Sequence, residues 1–227
     1  MAQQSGLSRR GLLKMGGIGV VGLAATGTLA KSVEKFCVNT PIQPEGPFYP
    51  ISDQADKNTD LTVVDGKRGR ASGKILYLSG KVVDQNCDPV NKGIVEIWQA
   101  CETGRYNHPG DEDNPNPLDE NFQYWGIATT NSEGLYNFKT IIPGHYAAGP
   151  GWIRPPHIHF KVHKRGYREL ITQMYFNGNQ YNEGDRILGD LPKSDWPSVV
   201  RDLVPRASED GRDTFDIQFD ISLVKLI

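Results

Sequence analysis

His157 and His159 alternate along Pro155-Pro156-His157-Ile158-His159-Phe160, so on an extended chain both imidazoles leave the same face. The alternation runs on through Lys161, Val162 and His163 and predicts a strand whose Ile158, Phe160 and Val162 fill a core while the two histidines point away from it. Two neighbouring imidazoles suit a metal ion. Read alone, the pair also fits a solvated strand face, so other residues must decide.

Around this stretch the strand signals dominate. Residues 73–84 and 93–100 are β-branched and aromatic runs separated by Gln85-Asn86-Cys87-Asp88-Pro89, which predicts a hairpin. Residues 124–130 and 135–142 repeat the pattern around Asn131-Ser132-Glu133-Gly134. Residues 157–163, 170–176 and 214–223 complete at least seven strands, the last with Phe215, Ile217 and Phe219 in alternation. No long amphipathic helical period occurs. The pattern predicts an all-β fold, an antiparallel β-sandwich with long irregular loops. Two loops stand out, residues 37–70 and 102–123, because both embed aromatic residues in Asn, Asp, Gly and Pro.

The first 30 of the 227 residues read as an address. Ser8-Arg9-Arg10-Gly11-Leu12-Leu13-Lys14 is a twin-arginine signature, followed by an uncharged, Gly- and Ala-rich stretch ending at Ala30. Residues 1–30 are therefore expected to be an export signal, and residues 31–227 the mature domain in the periplasm or outside the cell. Removing Arg9, Arg10 and Lys14 leaves 22 basic against 27 acidic residues, a net charge of −5 that attracts neither nucleic acid nor anionic lipid. In an oxidising compartment two of the three cysteines, Cys37, Cys87 and Cys101, can join. Cys87 and Cys101 flank the predicted hairpin without facing each other, which favours Cys37 as one partner.

Five motifs in order then resemble the intradiol ring-cleaving dioxygenases, and within them the iron-bearing chain of the protocatechuate 3,4-dioxygenase branch. They are Pro44-Glu45-Gly46-Pro47-Phe48-Tyr49; Val95-Glu96-Ile97-Trp98-Gln99-Ala100 leading to Gly104-Arg105-Tyr106; Ile142-Pro143-Gly144-His145-Tyr146; Arg154 to Phe160; and Ile171-Thr172-Gln173-Met174-Tyr175-Phe176. The resemblance implies a non-haem Fe(III) site made by Tyr106, Tyr146, His157 and His159. Phenolates are hard anionic donors that favour ferric iron, and imidazoles complete the set without adding charge. A free tyrosine titrates near 10, but a trivalent ion holds its phenolate deprotonated at neutral pH.

The resemblance further implies an aromatic diol and dioxygen as substrates, ring opening between the two hydroxyl-bearing carbons, and a muconate-type diacid as product. Tyr146 corresponds to the ligand that leaves the metal and accepts a substrate proton, with Tyr106 and His159 equatorial and His157 axial. Arg154 corresponds to the family's active-site cation, although composition alone would make it a surface ion-pair residue. Gln173 corresponds to a polar neighbour of the iron, or else is an amide closing a strand end. An oligomer is implied, either of this chain or with a related chain that lacks iron. The stretch Ala147 to Ile153 is smaller and less polar than its family counterpart, and Trp152 within it is a candidate for lining the pocket. Trp98 and Trp125 read as core, and His108, His145 and His163 as loop or surface histidines. The competing classes are a non-catalytic sandwich module and another two-histidine metalloenzyme. The latter needs a carboxylate nearby, and the nearest one after His163 is Glu169.

Overall fold

The computed structural model describes residues 37–54 and 56–226. The twin-arginine segment and the predicted domain boundary at residue 31 lie outside them. The described residues form twelve strands: β1 (Ile75–Asp84), β2 (Ile94–Trp98), β3 (Trp125–Thr129), β4 (Leu135–Ile141), β5 (Tyr146–Gly149), β6 (Trp152–Arg154), β7 (His157–His163), β8 (Leu170–Phe176), β9 (Val200–Arg201), β10 (Val204–Glu209), β11 (Arg212–Gln218) and β12 (Ile221–Leu223). Two four-residue helices, α1 (Arg186–Gly189) and α2 (Trp196–Val199), follow β8.

One five-stranded sheet has the order β10-β11-β1-β12, with β4 also paired to β1. The other runs β3-β2-β7-β8-β9, and β5 with β6 makes a separate two-stranded ribbon. Leu76, Leu78 and Val82 of β1, Phe138 of β4 and Ile217 of β11 share one core with Val95 and Ile97 of β2 and Ile158, Phe160 and Val162 of β7. Each such buried side chain contributes roughly 1.5–3 kcal/mol, so this layer supplies most of the drive for folding. The sandwich is as the alternation predicts.

Two expectations need correction. The segments either side of residues 85–89 do not form a hairpin: β1 pairs with β4, β11 and β12, whereas β2 pairs with β3 and β7. Only a stub forms, in which Val90 N donates to Val82 O at 2.9 Å. The turn at residues 131–134 likewise joins strands of different sheets. Turn residues encode a reversal of direction but not the sheet that the second strand joins, and here the flanking strands bury their apolar faces in one core from opposite sheets. The pairing is also mixed rather than wholly antiparallel, since β1 runs parallel to β11 and β12, and β8 to β9. The predicted last strand splits into β11 and β12 at Phe219-Asp220.

Cys37 is bonded to Cys87, and Cys101 is free and buried. From this anchor the N-terminal arm passes from β12 of the first sheet to β8 of the second. Thr40 Oγ1 accepts from Ser222 N at 2.9 Å, and Gln43 N donates to Ile171 O at 2.9 Å.

Candidate metal centre

The strand β7 separates its side chains as alternation demands, yet the face turned from the core is not solvated. His157 and His159 are each only 2% exposed. The same sheet face carries Glu96 and Trp98 from β2, Trp125 and Ile127 from β3, and Ile171, Gln173 and Tyr175 from β8, with Trp98 opposite His159 and His159 opposite Gln173. Trp98 and Trp125 are thus buried, but in the cluster with Tyr106 and Tyr146 rather than between the sheets.

The N-terminal arm covers this face. Gly46 adopts φ +77°, and a Cβ there would lie 3.3 Å from His159 Cε1, so glycine lets the backbone close over the imidazole. Glu45 pairs with Lys161 of β7 at 3.3 Å, which ties the arm to the strand. Phe48 stacks on Tyr106 with ring centroids 4.6 Å apart.

Tyr106 and Tyr146 arrive from different loops. Tyr106 N donates to Asp111 Oδ2 at 2.7 Å, and Arg105, Asn114 and Asn116 bond loop carbonyls, so the 102–123 segment is ordered by its own polar side chains. Gly104, at φ +83°, presses against the His145 carbonyl so closely that a Cβ would come within 2.1 Å of its oxygen. That approach brings the two tyrosines together, their rings perpendicular at 5.6 Å.

Three donors converge. His157 Nδ1 lies 2.6 Å from Pro155 O, and because a carbonyl only accepts, Nδ1 carries the proton and Nε2 keeps its lone pair. That Nε2 is 3.2 Å from His159 Nε2 and 3.5 Å from Tyr106 Oη. Tyr146 completes the group, its ring 5.7 Å from that of His157. His159 Nδ1 is buried with no hydrogen-bond partner among the described residues; stacking on Trp98, at 4.7 Å and 11°, holds its ring instead. Roughly 3 Å is the spacing of adjacent donors around one ion with ligand distances near 2 Å. The residues therefore fit a metal ion, and the phenol oxygens select a hard one. Among the described residues no group of three or more His, Cys, Asp or Glu gathers, so tyrosine is essential to the set.

Burial raises the pKa of Tyr106 well above its usual value, as does its neighbour Tyr146, while Arg154 works against the rise. Burial likewise raises Tyr146, again opposed by Arg154. Both histidines are held well below the ordinary imidazole value, first by burial and then by the Arg154 cation. Both imidazoles are thus neutral and available as ligands.

Arg154 is 2% exposed. Its Nη2 donates to Gln173 Oε1 at 2.6 Å and Tyr175 Oη at 3.3 Å, and the guanidinium forms a two-pronged pair with Asp185. Gln173 donates to Pro44 O at 2.7 Å, and Tyr175 donates to Gln43 Oε1 at 2.9 Å, so the amide links the cation to the covering arm. Trp152 donates to Asp185 Oδ1 at 3.1 Å and so supports the pair from behind. Of the other histidines, His145 is exposed beside Tyr181, His108 caps the turn at Pro109–Asp111, and His163 lies 3.8 Å from Glu96 at the rim. Asp185, Tyr175 and Gln43 escape sequence reasoning. Tyr175 was findable, two residues beyond Gln173 on one strand face; Asp185 and Gln43 sit in irregular segments with no period to betray them.

A cavity of about 280 Å³ lies beside Tyr106, lined by Phe48, Ile51, Trp98, His108 and Tyr124 among others. A larger cleft of about 770 Å³ between residues 54–67 and 120–123 reaches none of the four donors.

The dioxygenase family model matches residues 44–225, which include every residue of the cluster. The chain belongs to the intradiol dioxygenase family. This family member is 36% identical over 180 residues to the protocatechuate 3,4-dioxygenase beta chain of Burkholderia cepacia, covering 78% of this chain and 76% of that one. It is 30% identical over 159 residues to catechol 1,2-dioxygenase 2 of Acinetobacter lwoffii, 63% of this chain but only 53% of the relative. The crystal structure of 3-chlorocatechol 1,2-dioxygenase from Rhodococcus opacus 1CP superposes with a TM-score of 0.66 at 24% identity, over 83% of this chain and 74% of that one. That last likeness is one of fold.

Proposed function

We propose that the chain is a non-haem Fe(III) dioxygenase that opens a catechol-type aromatic diol between its two hydroxyl-bearing carbons, placing both atoms of dioxygen in a muconate-type diacid. The convergence on His157 Nε2 of Tyr106 Oη at 3.5 Å and His159 Nε2 at 3.2 Å, with Tyr146 alongside, carries the reading. These four side chains hold the iron. When bound, ferric iron would supply Lewis acidity that favours loss of the diol protons and activates the ring toward dioxygen.

The chain's own residues do the rest. Tyr146 Oη accepts one diol proton. Arg154 presents a fixed cation to negative charge growing on the ring, in a site dry enough to strengthen it. Gln173 orients Arg154, and Trp98 with Phe48 keeps water from the ligands. A protocatechuate-like substrate is favoured by the 36% identity to a protocatechuate 3,4-dioxygenase beta chain.

Residues 1–30 serve as the twin-arginine signal and residues 31–227 as the exported catalytic domain. The Cys37–Cys87 bond supports an oxidising destination. N-terminal sequencing of the exported protein is expected to begin at Lys31. The likeness to a protein named a beta chain supports an oligomer, of this chain or with a related one.

The visible absorption spectrum of the purified, ferric-loaded protein tests the reading. A tyrosinate-to-iron band that shifts on anaerobic addition of protocatechuate or catechol is expected, followed by a diacid product once air is admitted. A protein that stays colourless after loading would be a sandwich module without catalysis.

A further inference from the structure

The pair between Arg154 and Asp185 is the most completely built polar contact in the molecule that no ligand role explains. Arg154 Nε lies 3.1 Å from Asp185 Oδ1, and Nη2 lies 3.2 Å from Oδ2. Both side chains are almost wholly out of solvent, at 3% and 0% exposure. A planar fork against a planar carboxylate fixes the guanidinium's tilt as well as its place, which a single hydrogen bond does not. Asp185 is itself immobilised, by Trp152 Nε1 at 3.1 Å and by Ile187 N at 3.4 Å. Gln173 and Tyr175 hold the remaining side of Nη2. None of these hydrogen bonds uses Nη1, so the cation is gripped by them along its Nε–Nη2 edge.

We propose that Asp185 is a positioning residue for ring opening, setting the plane of Arg154 so that its other edge meets the charge that develops on the diol. The inference rests on the reading of the site given above. A carboxylate kept only for folding would be an expensive choice, because a buried ion pair is often no more stabilising than apolar residues of similar volume. A carboxylate kept for geometry needs to be where this one is.

Asp185→Asn is the test, since it retains an oxygen for Trp152 and Ile187 while removing the second acceptor and the charge. Expected is a fall in kcat of roughly 10- to 100-fold, the usual effect of losing a partner that orients an active group. KM for protocatechuate, iron content and the tyrosinate band should stay near those of the parent. In an Arg154→Gln background the same change is expected to lower kcat no further, because a residue that acts through Arg154 has nothing left to orient. The double variant removes both buried charges, so this comparison survives even where Asp185→Asn alone folds poorly. Full kcat in Asp185→Asn, or an equal further loss in the Arg154→Gln background, overturns the proposal. A parent chain with neither ferric band nor turnover overturns the site reading itself, a different result from a normal parent whose Asp185→Asn variant is unaffected.

Discussion

On one face of β7, Ile158, Phe160 and Val162 lie against the opposite sheet at 0% exposure; on the other, His157 and His159 lie at 2% beneath the arm and the tyrosine loops. The two faces are equally dry but are covered differently. Sheet covers the first, and any well-packed apolar side chain serves there. Loops cover the second, and each must satisfy its own backbone: Asp111 accepts from Tyr106 N, Pro155 O accepts from His157 Nδ1, and Pro44 O accepts from the Gln173 amide. The apolar face contributes stability without needing particular partners. The polar face gathers donors whose spacing suits a cation, so function and stability fall on opposite sides of one strand.

Substitutions should therefore separate along this line. The largest effect expected is from Tyr106→Phe, with turnover falling on the order of 10³-fold, about 4 kcal/mol of barrier. Its melting temperature should move little, since the ring and its stack on Phe48 remain. Steady-state kinetics beside thermal denaturation checks both halves, and an active Tyr106→Phe enzyme would falsify tyrosinate ligation.

Across the strand, Ile158→Ala is expected to lose about 2–5 kcal/mol of stability. Its charge-transfer spectrum should match the parent's at low temperature. Urea unfolding followed by circular dichroism reads the first, and a folded Ile158→Ala protein without the band would mean that the faces are not independent.

The pH profile sharpens the contrast for the metal-free chain. His157 and His159 titrate below their value in the unfolded state, so the unfolded chain binds more protons as pH drops from about 6.5. Stability is then lost progressively toward acid. Tyr106 and Tyr146 titrate above their unfolded value, so stability also falls as pH rises past about 10. A plateau between these limits is expected in denaturation midpoints across pH, and His157→Gln should flatten the acid limb; an unchanged limb would place its origin elsewhere.

The smallest effect concerns the covering arm. Gly46→Ala forces a side chain into a left-handed backbone at about 1–2 kcal/mol and crowds His159 Cε1. A modest drop in melting temperature with a shifted visible band is expected. A shift in neither would mean that the arm does not bear on the imidazole.

Much of this was legible in the amino-acid order. Alternation alone placed β7 and β8 at their observed bounds and put Ile158, Phe160 and Val162 in the core, because a strand's period follows from backbone geometry and needs no partner. The motifs named Tyr106, Tyr146, His157, His159, Arg154 and Gln173, and the structure brings all six into one cluster. The doubt that the histidine pair was merely solvated is removed by what lies over it. Trp98 is buried as its residue type predicts, but which of two dry faces a tryptophan serves depends on register with β7.

What only the tertiary structure decided are the relations between segments far apart in sequence. The turns at residues 85–89 and 131–134 specify reversal, and the competition between sheets for apolar strands determines that each reversal crosses the core. Cys37 was expected to pair, but its choice of Cys87 depends on where the arm lies against β1. Asp185 meets Arg154 across 31 residues, from an irregular segment beyond β8 with no period and no motif of its own. Local chemistry, namely strand period, turn propensity and ligand type, is written residue by residue. The pairing of a buried cation with its carboxylate, and of a glycine with the imidazole it covers, depends on which surfaces the whole core leaves to be closed.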